Sequence, residues 1–202
     1  IQGCTNLIEL DIMGNKITSL NTSGLPNLKT LNAWANYSLT SIDLTGATSL
    51  ETLLLEGVKI KTLDVSDSPY LSKLECRNSA LENIDLSNNT FLQELFLYSS
   101  NLQSLDVSML KYLYELEVYG NKDLKEVCVE SLIRTIDWEK SDYTEWKVCN
   151  DGVLTDLYST TNSSKTIVKA YNLQGTEVPT NTTGELIILL YDNGQTERVF
   201  NY

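Results

Sequence analysis

Apolar residues recur along the first two thirds of the chain with a period close to 21. Leu7, Leu28, Leu50, Leu71, Leu92 and Leu113 each open a similar segment, at spacings of 21, 22, 21, 21 and 21 residues. The segments read LIELDIMGNKI, LKTLNAWANYSL, LETLLLEGVKI, LSKLECRNSAL, LQELFLYSSNL and LYELEVYGNKDL. Positions one, four and six of each are apolar, as in Leu71, Leu74 and Cys76. The last two alternate with polar neighbours, which is the period of a half-buried strand. Repetition at this length predicts a solenoid, one coil per repeat, with strands paired in parallel between neighbouring coils. The second half of each coil repeats as well, as SIDLTGATS, TLDVSDSPY, NIDLSNNTF and SLDVSMLKY. There Ile42/Leu44, Leu63/Val65, Ile84/Leu86 and Leu105/Val107 are expected inside, with Asp43, Asp64, Asp85 and Asp106 in an outer column. Each Asp stands two residues before a Ser or Thr. That predicts capping of backbone N–H groups in a turn, in preference to a calcium ladder.

The shared pattern, L-x-x-L-x-[apolar]-x-x-[N/small]-x-[apolar], resembles the leucine-rich repeat family over about residues 5–129. In that family the Asn bonds backbone groups inside the turn. Asn15, Asn36 and Asn121 hold this place, whereas Val58, Ser79 and Ser100 interrupt the ladder. The 21-residue coils, the D-[LV]-[ST] motif and the strand Cys look like surface leucine-rich proteins of Bacteroidetes bacteria. That resemblance implies coils with little helix.

The repeat stops after Val129, so the six coils are assigned to residues 1–129 and a capping segment to 130–150. ESLIRTI (130–136) reads as one or two helical turns. A solenoid end exposes an apolar cross-section, and Trp138 and Trp146 are expected to cover it. From Trp146 the chain changes to short β-runs: WKVCN, VLTDLYS, TIVKAYNL, ELIILLY and TERVFN. Asp192-Asn193-Gly194 predicts a hairpin, and STTNSSK (159–165) a flexible connection. The fold class is therefore a leucine-rich repeat solenoid followed by a small all-β C-terminal unit over 151–202. That unit carries Tyr171-Asn172-Leu173-Gln174-Gly175 and Gly184-Glu185-Leu186-Ile187-Ile188. It resembles the C-terminal sorting domain of Por-type (type IX) secretion, with Leu186 where that family has Tyr. The resemblance implies export to the bacterial surface, in association with the outer membrane.

Composition narrows the chemistry. The 202 residues carry 15 Lys+Arg against 27 Asp+Glu, for a net charge of −12. Such a chain repels phosphate backbones, so no nucleic acid is expected as partner. No apolar run is long enough for a transmembrane segment. There is no histidine, which excludes Ser-His-Asp machinery and His-ligated metals. No cofactor or metal is expected. Of the four cysteines, Cys76 reads as a small buried apolar residue. Cys128 and Cys149, 21 residues apart, are expected to pair and staple the cap to the last coil.

The outward strand positions stack into three columns. The first holds Glu9, Thr30, Thr52, Lys73, Glu94 and Glu115, and the second Asp11, Asn32, Leu54, Glu75, Phe96 and Glu117. The third holds Met13, Trp34, Glu56, Arg77, Tyr98 and Tyr119. Aromatics beside Arg are what interface hot spots use. Trp34, Arg77, Phe96, Tyr98, Glu117 and Tyr119 are therefore the candidate ligand-binding residues. The expected function is non-catalytic binding of a host or neighbouring surface protein. Two alternatives stand beside it: a glycan-binding module stacking sugars on Trp34, Phe96, Tyr98 and Tyr119, and a structural spacer. An open sheet offers no cleft to desolvate a carboxyl group, so no enzyme is expected.

Overall fold

The computed structural model describes residues 3–130 and 138–150, followed by five strand segments between 153 and 201; beyond Cys149 it describes the backbone alone. The chain divides into two compact units, Ile1–Thr155 and Asp156–Tyr202.

The first unit runs β1 (Glu9–Asp11), β2 (Ser19–Asn21), β3 (Thr30–Asn32), β4 (Ser41–Asp43), β5 (Thr52–Leu54) and β6 (Lys73–Glu75). It continues as β7 (Glu94–Phe96), β8 (Leu105–Asp106), β9 (Glu115–Glu117), β10 (Glu126–Val129), β11 (Glu145–Asn150) and β12 (Val153–Thr155). Six of these form the main parallel sheet, in the order β1-β3-β5-β6-β7-β9. Its register is the repeat register, with Leu10, Leu31, Leu53, Leu74, Leu95 and Leu116 side by side. The second half of each coil makes a shorter ladder, β2 with β4 and, further on, β8-β10-β11-β12. No helix occurs among the described residues.

The inward columns make one continuous core. Leu28, Leu31, Leu50, Leu53, Leu71, Leu74, Leu92 and Leu95 are fully buried. Cys76 lies among them, and burial pushes its thiol up to about 11, so it packs as an inert apolar group. Burying a backbone turn requires partners for its carbonyls. Asn36 Nδ2 donates to the Ala33 and Ile12 carbonyls, and Asn121 Nδ2 to those of Val118 and Leu97. Where Asn is replaced, Ser79 and Ser100 both donate to the Cys76 carbonyl. The Asp column caps its turns: Asp43, Asp64, Asp85 and Asp106 accept from the N–H of Thr45, Ser66, Ser87 and Ser108 at 2.9–3.0 Å. The residue just before the Asn position has φ between 51° and 76° in all six coils, at Gly14, Ala35, Gly57, Asn78, Ser99 and Gly120. Half of these are not glycine, so the tertiary fold holds them in a conformation their side chains disfavour.

The coil geometry outlasts the sequence repeat. Glu139 bridges Glu117 in parallel, and β11 pairs parallel with β10. By this register Trp138 continues the column of Leu95 and Leu116, and Trp146 lies beside Val127. The two rings meet edge to face at 5.7 Å, and Trp138 Nε1 donates to the Tyr114 carbonyl. Residues 138–150 thus form the strands of a seventh coil. One large ring does the work of several aliphatic side chains there, which hides the repeat from a leucine pattern. A disulfide joins Cys128 to Cys149. The expected helical turns at 130–136 lie almost wholly outside the described residues. Strand β12, grouped above with the C-terminal unit, pairs antiparallel with β11 and falls in the first unit.

The second unit contains β13 (Ile167–Asn172), β14 (Glu177–Val178), β15 (Glu185–Tyr191) and β16 (Thr196–Asn201). They form an antiparallel sheet in the order β14-β13-β15-β16. Asp192-Asn193-Gly194 and the 159–165 connection lie outside the described residues.

Candidate functional site

The outward side of the main sheet carries two cations in its central coils, Lys73 and Arg77, and both are engaged within the molecule. Lys73 Nζ lies 2.7 Å from Glu94 and 3.1 Å from Glu75. Arg77 pairs with Glu75 at 2.5 Å and with Glu56 at 3.4 Å, and donates to the Tyr98 hydroxyl at 3.0 Å. Burial alone would lower both pKa values. The hydrogen bonds from Lys73 to Glu94 and Glu75, and from Arg77 to Tyr98 and Glu75, more than offset it and hold them raised. Glu94 is held below its ordinary value by Lys73 and by the Tyr114 hydroxyl.

These ion pairs close over Phe96. Lys73 and Arg77 sit 5.1 and 5.2 Å from the ring centroid, and Phe96 is only 6% exposed although it points out of the sheet. Aliphatic stems cover apolar surface while their charged heads reach the carboxylates. Tyr98 is enclosed in turn. Arg77 lies 5.3 Å from its ring, and Tyr119 stacks on it at 4.6 Å with 7° between the planes. Trp34 is 43% exposed, but the coil of Glu56 separates it from Arg77 in the column. Of the six candidates, then, Arg77, Phe96, Tyr98, Glu117 and Tyr119 share adjacent coils and Trp34 does not. Phe96 presents no free ring for stacking.

The C-terminal end of this face is different. Glu117 lies beside Glu139 of the seventh coil, next to Glu115. Burial, followed by the charge of Glu139, raises the Glu117 carboxyl above its ordinary value, and Arg77 offsets only part of this. Glu117 and Glu139 thus border the Tyr98–Tyr119 stack, where Arg77 balances only part of their charge. The sequence reading missed Glu139, because its coil lacks the leucine signature. It also missed Lys73, Glu75 and Glu94 as the cover of Phe96, since only the register brings them together.

A second aromatic set was legible but not read. Tyr70, Phe91 and Tyr112 each precede the leucine that opens a repeat, again 21 residues apart. They stand at the turn into the main sheet, 60%, 48% and 60% exposed. Centroids are 6.0 Å apart for Tyr70–Phe91 and 5.9 Å for Phe91–Tyr112, the latter with planes 5° apart.

No family model and no curated protein matches the chain. Among solved structures, the functional domain of InlJ from Listeria monocytogenes, which includes a cysteine ladder, is similar with a TM-score of 0.55 and 23% identity. The fold is a leucine-rich repeat solenoid. The match covers 72% of this chain and 41% of the InlJ chain, so this chain spans under half of that neighbour. Leucine-rich solenoids generally serve protein binding or adhesion, through the continuous surface their stacked strands create. In this solenoid the inward strand column holds a single cysteine, Cys76, between Leu55 and Leu97. Among the described residues no helix is long and apolar enough to cross a membrane.

Proposed function

We propose that this chain is a non-catalytic protein-binding module, which engages a basic partner surface through the C-terminal end of its main sheet. One observation carries the reading. Glu117 and Glu139 lie beside the Tyr98–Tyr119 stack, and Arg77, the cation that acts on Glu117, is already held by Glu56 and Glu75 and offsets only part of the repulsion. A partner Arg or Lys would relieve the repulsion between Glu117 and Glu139 and pack against a ring. Host adhesion, or attachment to a neighbouring surface protein, fits such a face. An exported, surface-held protein of Bacteroidetes type also fits the Cys128–Cys149 bridge, since disulfides persist in oxidising compartments. The resemblance of the C-terminal sheet sequence to a sorting domain supports the same location. Glu117 and Glu139 lie on an open sheet, and without a cleft to desolvate one of them a hydrolytic role is not supported.

The test is a binding screen of the whole chain against arrayed matrix and surface proteins, with Glu117→Gln/Glu139→Gln alongside. Support would be a hit that weakens at least tenfold in the variant and fades as salt rises to about 1 M. A blank array, or a hit indifferent to both, would leave the spacer reading in its place.

A further inference from the structure

The strand of the sixth coil differs from its neighbours in what it turns outward. Residues 114–119 read YELEVY, and Leu116 and Val118 are buried. The outward set is therefore Tyr114, Glu115, Glu117 and Tyr119: two carboxylates between two rings, with no cation in the series. None of the other five leucine-opened repeats has a ring at both ends of its strand. Tyr114 is 58% exposed, and its hydroxyl donates to Glu94 Oε1 on the preceding coil at 2.7 Å. Glu94 and Glu115 are paired in register, so Tyr114 borders the acidic column of the sheet face. At the other end Tyr119 stacks on Tyr98, beside Glu117 and Glu139.

The molecule itself shows how such a surface holds a cation. Lys73 Nζ lies 2.7 Å from Glu94 and 3.1 Å from Glu75 while standing 5.1 Å from the Phe96 centroid. Arg77 repeats the arrangement with Glu75 and the Tyr98 ring. A ring face and a carboxylate attract the same charge, so a cation that meets both gains from each. The sixth coil offers this pair of groups twice, as Tyr114 with Glu115 and as Tyr119 with Glu117. The nearby cations of the chain have contacts of their own. Lys73 and Arg77 belong to the fourth coil and its carboxylates, Lys140 Nζ donates to the Ser141 carbonyl, and Lys111 is engaged within the molecule.

Spacing narrows the occupant further. A strand rises about 3.4 Å per residue, so Tyr114 and Tyr119 stand roughly 16 Å apart along the coil. In an extended segment alternate residues share a face, and three cations at every second position cover about 13 Å. Their flexible stems reach the rest. A helix is about 10 Å wide with its side chains, against about 4.8 Å between strands, and would lay its basic flank towards Lys73 and Arg77.

We infer that the sixth coil receives an extended basic segment of a protein partner, with Lys or Arg at every second position. The end cations pack on Tyr114 and Tyr119, beside Glu115 and Glu117. This rests on the protein-binding reading of the sheet face and adds to it the conformation and charge spacing of the partner.

The experiment is a nuclear magnetic resonance titration of the nitrogen-labelled whole chain, at low salt, with two end-capped peptides of one composition: Arg-Ser-Arg-Ser-Arg and Arg-Arg-Arg-Ser-Ser. The alternating peptide should shift the amides of Glu115, Glu117 and Tyr119 and bind about fivefold more tightly than the block peptide. Tyr114→Ala and Glu115→Gln should each remove most of that difference, whereas Tyr114→Phe, which keeps the ring, should preserve it. Tyr114 is exposed, and an unchanged melting temperature shows that the coil is intact. Equal affinity for the two peptides overturns the inference and leaves the protein-binding reading standing, because both carry the same charge. An undiminished preference in Tyr114→Ala overturns it too. If neither peptide shifts an amide of the sheet face, the inference falls, and the array screen alone decides the protein-binding reading.

Discussion

Two aromatic stacks occupy the same central coils and differ in almost every property that matters. On the sheet face, Phe96 is covered by Lys73 and Arg77 and Tyr98 by Arg77 and the Tyr119 ring, with the cationic heads held by Glu56, Glu75 and Glu94. At the turn edge, Tyr70, Phe91 and Tyr112 stand 48–60% exposed. The sheet-face residues are neighbours on pleated strands, where cross-strand side chains are close enough to close over a ring. The turn-edge residues stand just before the leucine that opens each repeat, at the turn into the main sheet. An aromatic residue on a surface column is thus no measure of an available ring. The length and charge of its neighbours decide that.

The contrast can be broken most sharply by truncation. Phe96→Ala should cost about 3 kcal/mol, because it empties a buried site and leaves the Lys73 and Arg77 stems uncovered. Phe91→Ala should stay within about 0.5 kcal/mol. Urea unfolding followed by circular dichroism measures both. Similar losses at the two positions would erase the distinction between a closed stack and an open one.

Next in size is the bridge. Cys128→Ser/Cys149→Ser should cost about 2–3 kcal/mol, with its effect centred on the seventh coil. Hydrogen exchange should quicken at the amides of Val118 and Glu139, which bond across the last two coils, and stay unchanged around Phe91. The sheet face would then lose Glu139 while the turn edge stays whole.

Gly120→Ala should be smaller, at about 1 kcal/mol or somewhat more. Gly120 has φ +76°, and a Cβ there would stand 2.9 Å from Ser99 Oγ and 3.2 Å from its backbone N. The strain falls beside Tyr98 and Tyr119, so near-ultraviolet circular dichroism of the closed stack should change.

The smallest effect is electrostatic. Asp43, Asp64 and Asp85 are held below their ordinary values by hydrogen bonds from Thr45, Ser66 and Ser87. Their contribution is full above the unfolded value of about 4 and disappears as pH falls through the lowered folded values. Glu117 has the opposite sign. Its folded value is raised, so its charge opposes folding at neutral pH and the opposition is relieved as pH drops. Glu117→Gln should therefore raise the stability at pH 7 by about 0.5 kcal/mol or less, while weakening a basic partner. A thermal melt at pH 7 and at pH 4 reads the sign. A loss of stability at pH 7 would show that the carboxylate serves the fold and not a partner.

Periodicity by itself determined the solenoid. Leucines at a constant step must be buried by stacking, so the first six coils, their parallel register and their outward columns follow from spacing alone. The turn chemistry of the Asp column was equally local, because an Asx turn involves residues two apart. Three features were decided only in the tertiary structure. Trp138 and Glu139 joined a seventh coil because one indole fills the space of the missing aliphatic side chains. Phe96 became buried because Lys73, Glu75 and Arg77 of one coil meet Glu94 and the Phe96 ring of the next, about 21 residues on. Tyr70, Phe91 and Tyr112 kept the same 21-residue step, yet stand 48–60% exposed where Phe96 is only 6% exposed. Exposure is set by neighbours from other coils, and sequence spacing names those neighbours without saying how far each side chain reaches.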